Sequence, residues 1–199
     1  SFLSGTVRAA CDDALLENGG RNDVLIIVND NAIDSCAVGL YYAQKRNLGR
    51  ANIVHVRTPA SFWISWAEFK QLRDQVIRHL HRRVLADNPG LRAAVCTGTE
   101  SPYYCPAVVA QVRQYTRVRY LVTTKGVPSR MRVEDSQLAE SIEPTSVDNY
   151  LRFWLINYFT TDVAFKELSL NRGRSFDNGR GMRSVIPSVD YELISGRID

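Results

Sequence analysis

The stretch Asp23-Val-Leu-Ile-Ile-Val28, followed at once by Asn29-Asp30-Asn31, decides the fold. A continuous apolar run this short suits a strand buried on both faces, which is the position of a central strand in a parallel sheet. The Asn-Asp-Asn triplet that stops it is turn and helix N-cap chemistry. A helix is therefore expected next, over 33–48. Ile33, Ala37, Leu40, Tyr41 and Gln44 fall along one mostly apolar face of it, and Gly49 ends it. Asn52-Ile-Val-His-Val56 is a second strand. A strand, a helix and a strand in this order make a parallel, right-handed crossover unit.

Further along, Ser65-Trp-Ala-Glu68 is a capping box. It opens a helix running to about Leu85, with an apolar stripe of Phe69, Leu72, Val76, Ile77, Leu80 and Val84. Asp87-Asn-Pro-Gly90 stops it. Ala107 to Tyr115 reads as a short helix, and Arg119-Tyr-Leu-Val-Thr-Thr124 as a third strand ending at Lys125-Gly126-Val127-Pro128. Before the first strand, residues 1–22 read as an arm with a short helix over Cys11 to Glu17, closed by Gly19-Gly20. After the third strand, 145–159 reads as a buried helix with a Ser-Val-Asp start. Ser188-Val-Asp-Tyr-Glu-Leu193 repeats that start. Two insertions stand out as loops, 91–106 and 171–184. The expectation is one α/β domain over 1–199, a three-layer sandwich with a mainly parallel sheet, either doubly wound or caspase-like (gingipain-like).

The 199 residues, 45% hydrophobic and 23% charged, are enough for one domain with a real core and short for two. No apolar run approaches the roughly 18 residues that span a bilayer. The longest, 153–159, is broken by Asn157, and no signal peptide is visible. A net charge of +4 is too small to argue for nucleic acid. Only Lys45, Lys70, Lys125 and Lys166 are lysines; the other basic residues are arginine. Arginine suits forked bonds to carboxylate or phosphate, and it is also what a GC-rich genome supplies.

Four cysteines are present. Cys96 and Cys105 flank a short polar loop and are expected to form a disulfide, which points to an oxidising compartment. Cys11 with Cys36 is a second pairing left open. Without a Cys-x-x-Cys spacing, a zinc ribbon is not expected, and no metal site is assigned. No P-loop, dinucleotide fingerprint or Ser-His-Asp set appears, so no cofactor is assigned.

Sites in open α/β sheets lie at the carboxyl ends of the strands. Here those ends carry Asn29-Asp30-Asn31, Arg57-Thr58 and Thr124-Lys125-Gly126. Asn29, Asp30, Asn31, Thr124 and Lys125 are the binding candidates, with Asp30 and Lys125 as a candidate ion pair. Catalytic candidates are Asp30, Lys125, Asp148 and Asp190. The Gly-rich loop 171–184 adds Arg172, Arg174, Arg180 and Arg183, an arrangement able to bind anions. His55 lies inside the second strand. His79 and His81 lie among arginines on the long helix and are expected to be solvated. None of the three makes a credible dyad with a cysteine.

Three stretches resemble an uncharacterised family of exported bacterial proteins. They are Val24-Leu-Ile-Ile-Val-Asn-Asp-Asn31 with Asp34-Ser35 and Tyr41-Tyr-Ala-Gln-Lys-Arg46; Tyr120-Leu-Val-Thr-Thr-Lys-Gly-Val-Pro128; and Ser188-Val-Asp-Tyr-Glu-Leu193. The resemblance implies export and brings no activity with it. It also implies chains that continue beyond the last motif. More distantly, the element order is similar to that of gingipain-like peptidases of the caspase clan, including the Ile53-Val-His-Val56 strand. Their catalytic histidine follows a strand whose place here is taken by Thr124-Lys125-Gly126. Their cysteine follows a later strand, and this chain has no cysteine after Cys105. The expected function is an exported, non-catalytic module, extracellular or periplasmic, that binds a protein partner or assembles on the cell surface. The alternative is a caspase-clan hydrolase with an atypical site at the strand ends. A polyanion-binding role for the Gly/Arg loop is a third reading.

Overall fold

A computed structural model describes residues 11, 13–16, 19–98, 101–131, 146–148, 151 and 194–198. Strand β1 (Val24–Asn29) is followed by helix α1 (Ile33–Lys45) and strand β2 (Ile53–Val56). A two-residue strand β3 (Trp63–Ile64) precedes the long helix α2 (Trp66–Asp87). Helix α3 (Pro106–Tyr115), β4 (Tyr120–Thr124), β5 (Arg130–Met131) and β6 (Ile194–Ile198) complete the described elements. The main sheet has the order β2-β1-β4-β6, and every neighbouring pair is parallel. β3 and β5 form a small parallel pair of their own.

The alternation of side chains across the sheet separates two cores. Leu25, Ile27, Val54, Val56 and Leu121 face α2 and α3. Val24, Ile26, Val28, Ile53 and Val122 form the second cluster, with Ala43 of α1 and Leu16 of the arm. Helices thus cover both faces, which makes the α/β three-layer architecture. β1 is buried along its whole length because it has a strand on each side and a helical layer on each face. From β1 the chain moves to β2 on one side. It later returns past β1 to lay down β4 on the other. This reversal makes the order doubly wound, with its switch point between β1 and β4.

The face of α1 differs from the apolar stripe expected from the sequence. Ser35, Gly39 and Ala43 face the sheet, while Ile33 is 79% and Tyr41 63% exposed. Small residues win because the helix lies very close to the strands. A Cβ on Gly39 would sit 2.4 Å from Val28 Cγ1. The bulky residues cannot fit there, whatever their hydrophobicity.

α2 follows its sequence closely. Ser65 Oγ accepts from the Glu68 amide at 3.3 Å, and the Glu68 carboxylate accepts from the Ser65 amide at 2.7 Å. All six apolar stripe residues are buried. His79 and His81 are less open to water than the sequence suggests. Both are half-buried, and burial pushes the His79 imidazole down to about 4 despite a bond to the Ala51 backbone. His81 Nε2 bonds Gln111 Oε1 at 2.6 Å. The Ala51 backbone and the Gln111 side chain reach these two rings, and both partners are distant in sequence, so local polarity does not show it.

Both cysteine pairs are disulfides. Cys96–Cys105 closes the 91–106 loop, with Cα atoms 5.6 Å apart. Cys11–Cys36, at 5.5 Å, ties the arm to α1. Among its described residues the arm has a 3-10 turn at Asp13–Leu15 rather than a longer helix. β3, β5 and β6 have no counterpart in the sequence reading. The Gly/Arg loop at 171–184, with Arg172, Arg174, Arg180 and Arg183, lies outside the described residues, as do Asp190 and most of 145–159. Among the described residues no helix is long and apolar enough to cross a membrane.

Candidate functional site

The carboxyl ends of β1, β2 and β4 do meet, and Asn29 is what joins them. Its Nδ2 donates to Thr58 O at 3.1 Å and to Gly126 O at 2.7 Å. Its Oδ1 accepts from the amides of Asn31 at 3.1 Å and Thr58 at 3.3 Å. One fully buried side chain therefore ties three turns together. The same residue's amide donates to Ser35 Oγ at 2.7 Å. Ser35 Oγ lies 2.5 Å from Thr124 Oγ1, which donates to Ile27 O at 3.0 Å. Because Thr124 spends its only hydrogen on Ile27, Ser35 must be the donor between the two hydroxyls. The hydrogens run in one direction, from Asn29 N–H through Ser35 and Thr124 to a β1 carbonyl.

This network corrects part of the sequence reading. Asn29 and Thr124 are both 0% exposed and fully engaged, so they build the site rather than offer groups to a ligand. Asn31 Nδ2 likewise donates to Thr58 O at 3.0 Å. The expected Asn-Asp-Asn cap is not one: the N-cap of α1 is Ala32, which has no side-chain oxygen to cap with. Asp30 and Lys125 do not pair with each other. Lys125 Nζ lies 3.5 Å from Asp34 Oδ2, with both side chains more than half exposed. Asp30 Oδ1 instead lies 2.8 Å from His55 Nδ1. Asp148 is half-buried next to Val147, whose amide bonds Ser129 O at 2.9 Å.

Above the switch point lies a cleft of about 340 Å³. The start of α1 lines one side with Ile33 and Asp34, and Lys125 and Gly126 form the wall after β4. Phe62, 58% exposed, also lines it. It is held by the small sheet: the amides of Ser129 and Arg130 both donate to Phe62 O, at 3.1 and 3.0 Å. Arg197 of β6 also lines the cleft, and its Nη1 donates to Val127 O at 2.8 Å. Two large exposed apolar side chains thus stand around a cleft whose charges are mainly one carboxylate, one ammonium and one guanidinium.

Ile33, Asp34, Phe62 and Arg197 are among the cleft residues that the sequence reading missed. Ile33 belongs to the mostly apolar face expected of α1, and nothing local marks Phe62 as exposed. An exposed Trp63 would favour a partner-binding module; it is half-buried.

A second polar cluster lies on the α1 face of the sheet. His55 stands between two carboxylates, with Asp30 at Nδ1 and Asp13 Oδ2 at 3.3 Å from Nε2. Arg50 lies 3.2 Å from Asp13, and Arg57 4.0 Å from Asp30. Among the described residues no set of three or more His, Cys, Asp or Glu is arranged to hold a metal ion. Both clusters are parts of a doubly wound α/β domain. Comparison of the chain with protein-family models, curated proteins and solved structures gives no match.

Proposed function

We propose that this domain is an exported, non-catalytic module that binds a protein partner through the cleft at the carboxyl ends of its strands. The observation that carries the reading is the placement of Ile33 and Phe62, two large and largely exposed apolar side chains lining one cleft. Isolated exposed apolar residues are ordinary, whereas a grouped pair rimmed by charge matches the anatomy of a small interface core. The consumption of Asn29, Ser35 and Thr124 in internal bonds supports the non-catalytic part, since polar groups at the strand ends are spent on holding the turns. Two disulfides support an oxidising compartment. The motifs that resemble the exported bacterial family point the same way.

A photo-crosslinking residue in place of Phe62, introduced in cells, tests this. The expected result is a discrete adduct with another envelope protein, lost when Ile33→Asp is added. No adduct, or one indifferent to Ile33→Asp, would sink the reading.

The hydrolase alternative has one observation in its favour, the Asp30–His55 contact, because a carboxylate that orients an imidazole is part of many hydrolytic sites. Hydrolysis of a panel of ester and peptide substrates that disappears in His55→Ala would establish it in place of the binding module.

A further inference from the structure

The amino end of the sheet, opposite the cleft, carries a different set of side chains. The strands are all parallel, so the residues entering β1, β2 and β4 lie together there, beside the carboxyl ends of α1 and α2. Named contacts close this end. Arg83 of α2 donates to Asn22 O at 2.8 Å and to Ala51 O at 3.1 Å. The amides of Arg119 and Tyr120 both donate to Asp23 O, at 2.6 and 2.9 Å. Arg21 bridges to Leu48, just after α1, and its guanidinium lies 6.0 Å from the centre of the Tyr120 ring.

This end is basic. Lys45, Arg46, Arg82, Arg117 and Arg119 are all exposed. The carboxylates described there are occupied: Asp23 takes two bonds from Arg21, and Asp87 lies 4.0 Å from Arg83. Among the described residues, Lys45, Arg46, Arg82 and Arg117 have no carboxylate within ion-pair distance. At the carboxyl end, by contrast, Arg57 and Lys125 stand beside Asp30 and Asp34. The exposed aromatic side chains divide in the same way. Phe62 is at the cleft, whereas Tyr41, Tyr115 and Tyr120 are near the basic end. The Lys45 ammonium lies 5.4 Å from the centre of the Tyr41 ring, and the Arg46 guanidinium 5.7 Å from that of Tyr42.

We infer that this basic end is a docking surface for a bilayer whose leaflet carries anionic phospholipid headgroups. Cations within a Debye length of such a leaflet are drawn by its negative potential, and several acting together hold a domain on it. Tyrosine suits the headgroup layer because its ring is apolar and its hydroxyl stays wet. A domain docked this way turns its cleft away from the membrane. The inference does not depend on what the cleft binds.

Co-sedimentation of the disulfide-bonded protein with vesicles tests it. Vesicles of equal parts phosphatidylglycerol and phosphatidylcholine should carry the protein down at low salt, and vesicles of phosphatidylcholine alone should not. Arg46→Gln/Arg82→Gln/Arg117→Gln should lower the partition coefficient about a hundredfold, each cation contributing about fivefold. Arg46→Lys/Arg82→Lys/Arg117→Lys keeps the charge and should keep most of the binding. Arg57→Gln/Lys70→Gln, at the other end of the molecule, should stay within about twofold of wild type, since those cations lie away from the leaflet. Equal losses in the two glutamine variants would overturn the inference, as would a loss in the lysine variant as large as in its glutamine counterpart. Displacement by inorganic phosphate beyond that by sodium chloride of the same ionic strength would assign the surface to a free anion instead. No sedimentation with either vesicle would also overturn it, and retention on polyglutamate in that case would assign the surface to an acidic protein.

Discussion

Gly126 lies directly against Ala32 at the start of α1: a Cβ on Gly126 would come within 2.4 Å of the Ala32 Cβ and 3.2 Å of the Ser35 Cβ. Its φ of +91° is also one that other residues resist. Steric space and backbone conformation therefore exclude a side chain at the same position. Gly126→Ala is expected to destabilise the domain by about 1–3 kcal/mol, from strain and from pushing α1 away from the turn after β4. Chemical denaturation of the variant checks this. A midpoint equal to that of the wild type would show that the turn relaxes freely.

Asn29 should be more sensitive still. Asn29→Ala removes four side-chain bonds and leaves the amides of Asn31 and Thr58 and the carbonyl of Gly126 without them, while Thr58 O keeps Asn31 Nδ2. A loss of about 3 kcal/mol is expected, at the upper end for single polar substitutions. Asn29→Asp keeps the shape but turns a carboxylate oxygen toward the carbonyls of Thr58 and Gly126. It should therefore fail to rescue. If it restored wild-type stability, the amide donor would not be what joins the turns.

The hydroxyl relay gives a finer test. In Ser35→Ala the Asn29 amide and Thr124 Oγ1 both lose a partner inside the core. A cost of about 1–3 kcal/mol follows from leaving such groups unsatisfied. Thr124→Val leaves Ser35 without its acceptor and Ile27 O without its hydroxyl donor. The double variant should cost less than the sum of the single ones, because the two residues share one bond. Denaturant melts of the four proteins supply the cycle, and strict additivity would contradict the shared bond.

His79 ties stability to pH. Burial holds its folded pKa at about 4, against an ordinary value of 6.5. Between these values the unfolded chain binds a proton that the folded protein does not. Stability from this residue is thus complete above about pH 6.5 and falls as the pH drops toward 4. The size is about 3 kcal/mol by the pKa difference. His79→Leu should flatten the stability profile between pH 4 and 6.5. The same slope in variant and wild type would assign it to other groups.

The main elements were legible because each rests on local chemistry. Val24–Val28 had to be a doubly buried strand, since an unbroken apolar run of that length has no polar face to show water. The capping box at Ser65 and the stripe from Phe69 to Val84 specify α2 without help from the rest of the chain. The short strands β3 and β5 carry two residues each, too few for any period. They exist because the turn at Phe62 meets the segment at 129–131.

The sequence by itself determined the layered α/β architecture and its first crossover and pointed to the loop-closing disulfide, all of which depend on near neighbours or on periodic burial, while the strand order came from the tertiary structure. Tertiary structure decided everything at the strand ends. Whether Asn29 binds a ligand or joins three turns depends on Thr58 and Gly126, which are 29 and 97 residues away. Whether Lys125 pairs with Asp30 or Asp34 depends on which side of the turn each carboxylate leaves, and His55 takes Asp30 first. The exposed face of α1 was decided by distance: the helix lies so close to the sheet that only Ser35, Gly39 and Ala43 fit between, and Ile33 is left beside the cleft. Hydrophobicity is a property of each residue, but the space available to it belongs to the packed chain.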